Sequence, residues 1–180
     1  MTIAAFCGSL RKHSLNRSVV NHMDQTSDDI QVLSLEDIPL FNADLEEQGE
    51  PEAVFDFKKA IKEAEAVLIV TPEYSHSMPG VLKNALDWAG SMTYENVLDG
   101  KPVMIAGASP SVLGTAFAQE HLRVTLAACG AHTMPQPEIF IGKAAEKIDK
   151  DGKLIDQGTI DFLESALNGF RVYANGINNL

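Results

Sequence analysis

One stretch of the chain, residues 66–90, decides the fold and reads AVLIVTPEYSHSMPGVLKNALDWAG. It opens with a short, continuous apolar run, which is typical of a strand buried on both faces of a sheet. Pro72 and Pro79 then predict a stiff loop. After the loop, apolar residues recur at helical spacing, as a helix packed on a sheet requires. These residues are Val81, Leu82, Ala85 and Trp88.

The same alternation of strand and helix patterns runs along the whole chain. Strands are predicted at residues 3–7, 30–35, 66–71, 102–107 and, more weakly, near residue 132. Helices are predicted at residues 16–25, 51–64, 81–88, 115–129 and 159–175, while residues 35–51 and 135–158 are expected to be irregular connections. Such alternation predicts an α/β fold, with a parallel sheet covered by helices on both faces.

Five strands suit the order 2-1-3-4-5. In that order, ligands bind beyond the carboxyl ends of the strands, at the switch point between strands 1 and 3. The loops that begin at Gly8, Thr71 and Gly107 are therefore the candidates for a binding site.

Length and composition limit the class of protein. The chain has 180 residues, 45% of them hydrophobic and 22% charged, which suits one folded domain over residues 1–180. No apolar run reaches the roughly 18 residues of a membrane-spanning helix, and the first residues lack the order of a signal peptide. Cys7 and Cys129 lie far apart without a CxxC partner, as in proteins of a reducing compartment. We expect a cytoplasmic protein that is not bound to a membrane.

The charge distribution argues against nucleic acid as a partner, because the formal net charge is −11. Residues 18–57 contain eleven Asp or Glu residues and no Lys or Arg. Just before this acidic stretch stand Arg11, Lys12 and Arg17. A small anion can be held there although the whole protein is acidic.

The first candidate loop, residues 8–17, reads GSLRKHSLNR and leads into a helix. The start of a helix offers unpaired backbone N–H groups and a positive dipole end, to which Arg11 adds charge. The loop therefore predicts a phosphate site. It matches neither GxGxxG nor GxxxxGK[ST], which disfavours a dinucleotide pyrophosphate or a nucleoside triphosphate. The alternative is that its Ser and Asn residues only cap the helix.

The other two loops can present backbone groups to a flat ring. In the loop after strand 3, Tyr74 and His76 can flank such a ring. Glu73 is either a general base or, more ordinarily, a hydrogen-bond partner of nearby backbone. The loop at residues 107–115, GASPSVLGT, is rich in small residues, and Ser109 is its candidate contact.

The first two loops resemble the paired signatures of the NAD(P)H-dependent FMN reductase family, in particular its chromate and quinone reductase branch. The likeness continues through HLR at residues 121–123 and GKLIDQGT at residues 152–159. The resemblance implies a flavodoxin-like three-layer fold, FMN as cofactor and NAD(P)H as electron donor. It also implies a homodimer or homotetramer, and ping-pong hydride transfer to a quinone or a similar small acceptor, such as an azo compound, chromate or free flavin.

Matched residue by residue, the resemblance assigns roles in FMN binding and implies no catalytic residue and no metal. The residues expected at the phosphate are Ser9, Arg11, Ser14, Leu15 and Asn16. Those expected at the isoalloxazine ring are Pro72, Glu73, Tyr74, Ser75, His76 and Ser109.

The sequence departs from the family pattern at three positions in these loops. Ser75 stands where Asn is common, and Ser111 and Thr115 stand where Gly is frequent. The shorter side chain at 75 is expected to lose a hydrogen bond to the flavin edge. The added Cβ atoms at 111 and 115 are expected to narrow the approach of the second substrate.

A second class of function is a flavodoxin-type electron carrier without turnover of its own. An acidic surface would suit the docking of such a carrier to basic partners. The basic residues of the first loop and the signature of residues 71–90 argue against it. A phosphorylation-switched receiver domain would need an Asp at the end of strand 3, where the chain has Thr71 and Pro72. A serine hydrolase is disfavoured because no GxSxG occurs.

Overall fold

The computed structural model describes residues 1–179, so the last residue of the predicted 1–180 domain lies outside the described part. The strands are β1 (Ile3–Cys7), β2 (Ile30–Leu33), β3 (Ala66–Val70), β4 (Pro102–Ala108), β5 (His132–Thr133) and β6 (Ile139–Ile141). The helices are α1 (Leu15–Gln25), α2 (Ala43–Glu47), α3 (Glu52–Glu63), α4 (Gly80–Ala89), α5 (Ala116–Ala128), α6 (Ala144–Lys147) and α7 (Gln157–Asn178).

The strands form one parallel sheet in the order β2-β1-β3-β4-β5, which confirms the predicted topology. Cys7 at the end of β1 is paired in register with Val70 at the end of β3. The loops after these two strands therefore leave the sheet at the same edge and at the same level, which places them side by side at the switch point.

The fifth position of the sheet differs from the prediction because two short strands share it. β5 pairs with the start of β4 at Pro102 and Val103, and β6 pairs with its end at residues 106–108. Pro135 and Pro137 lie between β5 and β6, and proline has no N–H to donate to a strand ladder. The segments expected to be irregular also contain helices, α2 in the first and α6 in the second.

The core lies on both faces of the sheet. Along β1, Ile3 and Ala5 pack on the face covered by α1 and α7, whereas Ala4 and Phe6 pack on the face covered by α3, α4 and α5. Side chains of a strand alternate between faces, so a strand buried on both sides is apolar at every position. This explains why β1 and β3 were recognisable as unbroken apolar runs.

An ion pair fixes the last helix to the start of the sheet. The Arg171 guanidinium on α7 donates to both carboxylate oxygens of Asp29, at 2.9 Å and 2.7 Å. These hydrogen bonds lower the pKa of Asp29. The pair holds α7 against the residues that lead into β2.

Both cysteines are free thiols, with Cys7 buried and Cys129 half-buried. Burial raises the pKa of each thiol. The raised pKa disfavours the nucleophilic thiolate, so both act as small apolar residues. None of the helices within residues 1–179 has the length and apolar character needed to cross a membrane.

Candidate functional site

The loop between β1 and α1 exposes a set of unpaired backbone donors. Ser14 is the N-cap of α1, and its Oγ accepts a hydrogen bond from the N–H of Arg17 at 3.3 Å. The Oγ of Ser9 accepts from the N–H of Arg11, also at 3.3 Å. Within residues 1–179, several N–H groups of this loop have no hydrogen-bond partner, which is the arrangement that binds anions. They belong to Leu10, Lys12, His13, Ser14, Leu15 and Asn16.

Helix capping explains the presence of Ser14 in this loop. It does not explain Arg11, a cation without a partner in residues 1–179. The side chain of Arg11 is exposed, and among the described residues its guanidinium has no ion-pair or hydrogen-bond partner. Arg17 instead braces the loop, because its Nη2 donates to the backbone oxygen of Ser9 at 3.2 Å. The two arginines therefore differ in role, which their spacing in the sequence did not reveal.

The side chain of Asn16 faces β4. Its Nδ2 donates to the backbone oxygen of Ala108 at 2.9 Å, and its Oδ1 accepts from the N–H of Ala108 at 2.8 Å. Both residues are buried. Asn16 thus ties the start of α1 to the end of β4, and the group it offers to an anion is its own backbone N–H.

The loop after β3 contains a two-residue turn in an uncommon conformation. Tyr74 and Ser77 exchange backbone hydrogen bonds of 3.0 Å in both directions. Between them, Ser75 and His76 have φ angles of 51° and 58°, which define a type I′ turn. Asn adopts such positive φ angles more readily than Ser. The turn therefore gives a conformational reason for the Asn that is common at position 75. The turn was not predicted from the sequence, because Ser-His is not one of the residue pairs that usually mark a type I′ turn.

The carboxylate of Glu73 caps the neighbouring helix α5. Its Oε2 accepts a hydrogen bond from the N–H of Ala118 at 3.1 Å, and its Oε1 lies 3.5 Å from Nδ1 of His76. A negative charge is favourable at a helix N-terminus. The geometry therefore favours the structural interpretation of Glu73 over a general base, and it identifies the backbone partner as α5.

Two further contacts hold the turn against α5. The His76 ring meets the ring of Phe117 edge to face, with centroids 4.8 Å apart. Ser77 Oγ and His121 Nδ1 are hydrogen-bonded at 2.9 Å. The turn is exposed, yet it is supported from one side by a helix.

The loop after β4 is held by backbone contacts to the fifth sheet position. Ser109 donates its N–H to the oxygen of Ile141 and accepts from the N–H of Ala144, both at 3.0 Å. The Oγ atoms of Ser109 and Ser111 lie 3.1 Å apart. These contacts hold Ser109 at the start of this loop, and its contact with a ligand stays a prediction.

The expectation that Thr115 narrows the approach of a second substrate is wrong. Thr115 is completely buried, and its Oγ1 accepts a hydrogen bond from Gln119 at 3.0 Å. It packs on Gly107, where an added Cβ would lie 1.8 Å from Thr115 Oγ1. The Thr115 side chain therefore fills the space left by a glycine inside the fold and does not face the cleft.

The three loops meet around an open cleft of about 60 Å³. It is lined by Arg11, Ser14, Leu15, Asn16, Pro72, Glu73, Tyr74, Ala108, Ser109 and Pro110. Three of the predicted site residues do not line the cleft. Ser9 is buried within the first loop, whereas Ser75 and His76 lie at the exposed tip of the turn after β3. Ala108 and Pro110 were not predicted to line the cleft, because backbone and apolar contacts leave no local pattern in the sequence.

The family model for NADPH-dependent FMN reductases matches residues 1–146. The chain belongs to this family. It is 40% identical over 176 residues to a quinone reductase of Escherichia coli (strain K12), covering 94% of this chain and 93% of that protein. It is 37% identical over 174 residues to the NAD(P)H-dependent FMN reductase PA1204 of Pseudomonas aeruginosa, covering 95% and 94%.

A solved structure supports the same assignment to the FMN reductases. The flavoenzyme NAD(P)H:(acceptor) oxidoreductase FerB of Paracoccus denitrificans superimposes with a TM-score of 0.87 at 36% identity, covering 99% of this chain and 97% of FerB. A single-substitution mutant of flavodoxin from Pseudomonas aeruginosa has a TM-score of 0.57 at 13% identity, which shows the shared fold alone. The predicted family, the flavodoxin-like fold and FMN as the family's cofactor are confirmed.

The residues of this FMN reductase fit its cofactor on physical grounds. The unpaired N–H groups and free guanidinium of the first loop suit a phosphate. The cleft is too small to enclose a three-ring system, but it is open, so a flat ring can lie across it. No group of three or more His, Cys, Asp or Glu side chains in residues 1–179 could hold a metal ion.

Replacing Asn16 with Ala should destabilise both the fold and the site. The change removes two hydrogen bonds and leaves the buried N–H and C=O of Ala108 unpaired, so we expect a loss of about 2–3 kcal/mol in the free energy of unfolding. Urea denaturation measures this loss. Asn21→Ala, an exposed position on the same helix, should change stability little. Equal stability of the two variants would show that the Asn16–Ala108 pair does not hold the loops.

Proposed function

We propose that this protein is an FMN-dependent NAD(P)H oxidoreductase that reduces quinones or similar small acceptors. The observation that carries the proposal is the convergence of three loops on one open cleft at the switch point of the sheet. The relatives that cover most of this chain support it, since they include quinone reductases and, in a Burkholderia species, a 2-hydroxy-1,4-benzoquinone reductase.

The first loop would hold the phosphate of FMN. Its free N–H groups and the positive end of α1 favour a dianion, and Arg11 adds a charge-assisted contact. Ser9 and Ser14 support this arrangement from below by accepting hydrogen bonds within the loop. These internal hydrogen bonds leave the other N–H groups of the loop available to the phosphate.

The turn after β3 would receive the flavin ring. Within residues 1–179, the N–H groups of Ser75 and His76 have no hydrogen-bond partner. Donors of this kind stabilise negative charge where it develops on a reduced ring. When bound, FMN supplies the redox chemistry by accepting a hydride from NAD(P)H and passing two electrons to the acceptor. The protein orients the ring, through Tyr74 and the turn, and leaves one side of the cleft open.

We also propose a homodimer or homotetramer in the cytoplasm. Large apolar side chains remain exposed beside the cleft, with Val112 75%, Leu113 62% and Phe117 41% exposed. Burial of such side chains against another copy would remove apolar surface from water. The two free thiols suit a reducing compartment.

An assay of purified protein tests the proposed function directly. FMN should bind about one to one in preference to FAD, and NAD(P)H oxidation should require a quinone. Because one open cleft would receive donor and acceptor in turn, double-reciprocal plots should give parallel lines. Intersecting lines would contradict this order of binding. A lack of affinity for FMN would overturn the proposal, and FMN binding without turnover would instead indicate the electron carrier.

Arg11→Ala should weaken FMN but not riboflavin. The substitution removes a charge-assisted contact worth about 1.5–3 kcal/mol, so the Kd for FMN should rise roughly tenfold or more. Riboflavin lacks the phosphate, and its Kd should stay nearly unchanged. Fluorescence titration with both ligands measures the difference, and Lys59→Ala on α3 serves as the charge-matched control. Equal losses for both ligands would place Arg11 away from the phosphate.

Glu73→Gln should leave catalysis largely intact. Gln retains an oxygen that can accept from the N–H of Ala118, so the cap on α5 survives. A general acid or base contributes typically about 10²–10⁴-fold, whereas we expect kcat at saturating FMN to fall by less than about tenfold. Glu120→Gln, exposed on α5, is the control. A hundredfold fall in the stopped-flow rate of flavin reduction would assign Glu73 to the chemistry.

A further inference from the structure

The HLR motif at residues 121–123 lies on α5, beside the turn after β3. Each of its three residues contacts a different part of the molecule. Leu122 is completely buried in the core, and Nη1 of Arg123 donates to the backbone oxygen of Met134 at 3.0 Å. Nδ1 of His121 is hydrogen-bonded to Oγ of Ser77 at 2.9 Å. The motif therefore connects the core, the segment between β5 and β6, and the turn.

The helix that carries the motif is firmly anchored in the fold. Gln119 is buried, and its Nε2 donates to the oxygen of Ile139 on β6 at 2.9 Å and to Oγ1 of Thr115 at 3.0 Å. Leu126, one helical turn after Leu122, is also completely buried. Because α5 is packed in the core and hydrogen-bonded at its first turns, it is a fixed surface on which a neighbouring loop can be positioned.

The turn formed by residues 74–77 requires support from outside. Ser75 and His76 have φ angles of 51° and 58°, and a positive φ is uncommon in residues other than glycine. Such a conformation costs free energy and persists only where the surrounding structure determines it. The backbone hydrogen bonds of the turn itself are the two between Tyr74 and Ser77. Contacts from a neighbouring element are therefore needed to keep both φ angles positive.

α5 supplies these contacts along one side. Its N-terminus is capped by the carboxylate that precedes the turn, and Phe117 packs on the His76 ring. His121 lies four positions after Phe117, so both side chains face the turn. Within residues 1–179, the bond from His121 to Ser77 is the one side-chain hydrogen bond between α5 and residues 74–77. Its loss would free the end of the turn.

We propose that His121 is a positioning residue for the flavin: by holding Ser77, it keeps the turn in its uncommon conformation and so sets how tightly the ring binds and how readily it is reduced. This inference rests on the proposed function, in which the free N–H groups of Ser75 and His76 meet the ring. A turn that relaxes to negative φ angles rotates these N–H groups away. Because such donors act most strongly on developing negative charge, their displacement weakens the reduced flavin more than the oxidised flavin.

Binding and redox titrations of His121→Ala test the effect on the flavin. The Kd for oxidised FMN and the Kd for riboflavin should rise by the same factor, about threefold or more, because the ring and not the phosphate loses its partners. Reduced FMN should be weakened about fivefold further, which lowers the midpoint potential of a two-electron couple by about 20 mV.

Two further variants separate positioning from a general loss of stability. His121→Asn keeps a side-chain group that can bond to Ser77, and it should restore both the affinity and the potential. His132→Ala is the matched control, because His132 is exposed and pairs with the start of β4, at the end of the sheet away from the three loops. An unchanged potential in His121→Ala, or a loss that His121→Asn does not restore, would overturn the proposal.

Hydrogen exchange in the flavin-free protein gives a readout that does not depend on the cofactor. The N–H groups of Tyr74 and Ser77 are paired across the turn, so their exchange, followed by NMR, reports how often the turn opens. Protection of both should fall at least about threefold in His121→Ala. Adding Ser75→Asn to this variant should restore protection, because Asn adopts a positive φ more readily.

The exchange measurement also separates this proposal from the proposed function. Unchanged protection in His121→Ala would show that the turn does not depend on His121 and would overturn the proposal. Absence of FMN binding by the wild-type protein would overturn the proposed function alone, because a loss of protection in His121→Ala would still support the positioning of the turn by α5.

Discussion

The paired hydrogen bonds between the Asn16 side chain and the backbone of Ala108 hold the binding edge of this protein together. They join the first turn of α1 to the last residue of β4, at 2.9 Å and 2.8 Å, inside the fold. The loop that offers N–H groups to an anion and the loop that carries Ser109 are thereby fixed relative to each other. Gly107 also contributes, because its lack of a Cβ leaves room for the Thr115 side chain to pack against β4. Preorganised loops reduce the entropy lost when a ligand binds.

Much of the fold could be predicted because β1 and β3 are buried on both faces and therefore apolar throughout. Their alternation with helices was enough to predict the strand order. The structure of residues 135–158 could not be predicted in the same way. β6 has three residues and follows two prolines, so its pattern is too short to be recognised. β6 is a strand because it pairs with the end of β4, where the N–H of Ser109 donates to the oxygen of Ile141.

The sequence predicted which loops form the candidate site, but not what each side chain does there. Asn16 lies 92 positions from Ala108, and Glu73 lies 45 positions from Ala118. No local pattern can reveal partners at such separations. The turn at Ser75 was hidden for a different reason, since neither of its central residues is the Asn or Gly that usually marks positive φ angles.

The interruption between β5 and β6 also bears on how copies of the protein can associate. A long, regular outer strand is a template on which a second chain can add a strand, and this route leads to aggregation. Here the outer position consists of two pieces, of two and three residues, separated by Pro135 and Pro137. Such an edge presents no continuous row of backbone groups. Growth of the sheet across molecules is therefore disfavoured at this edge, so that association there would have to use side chains.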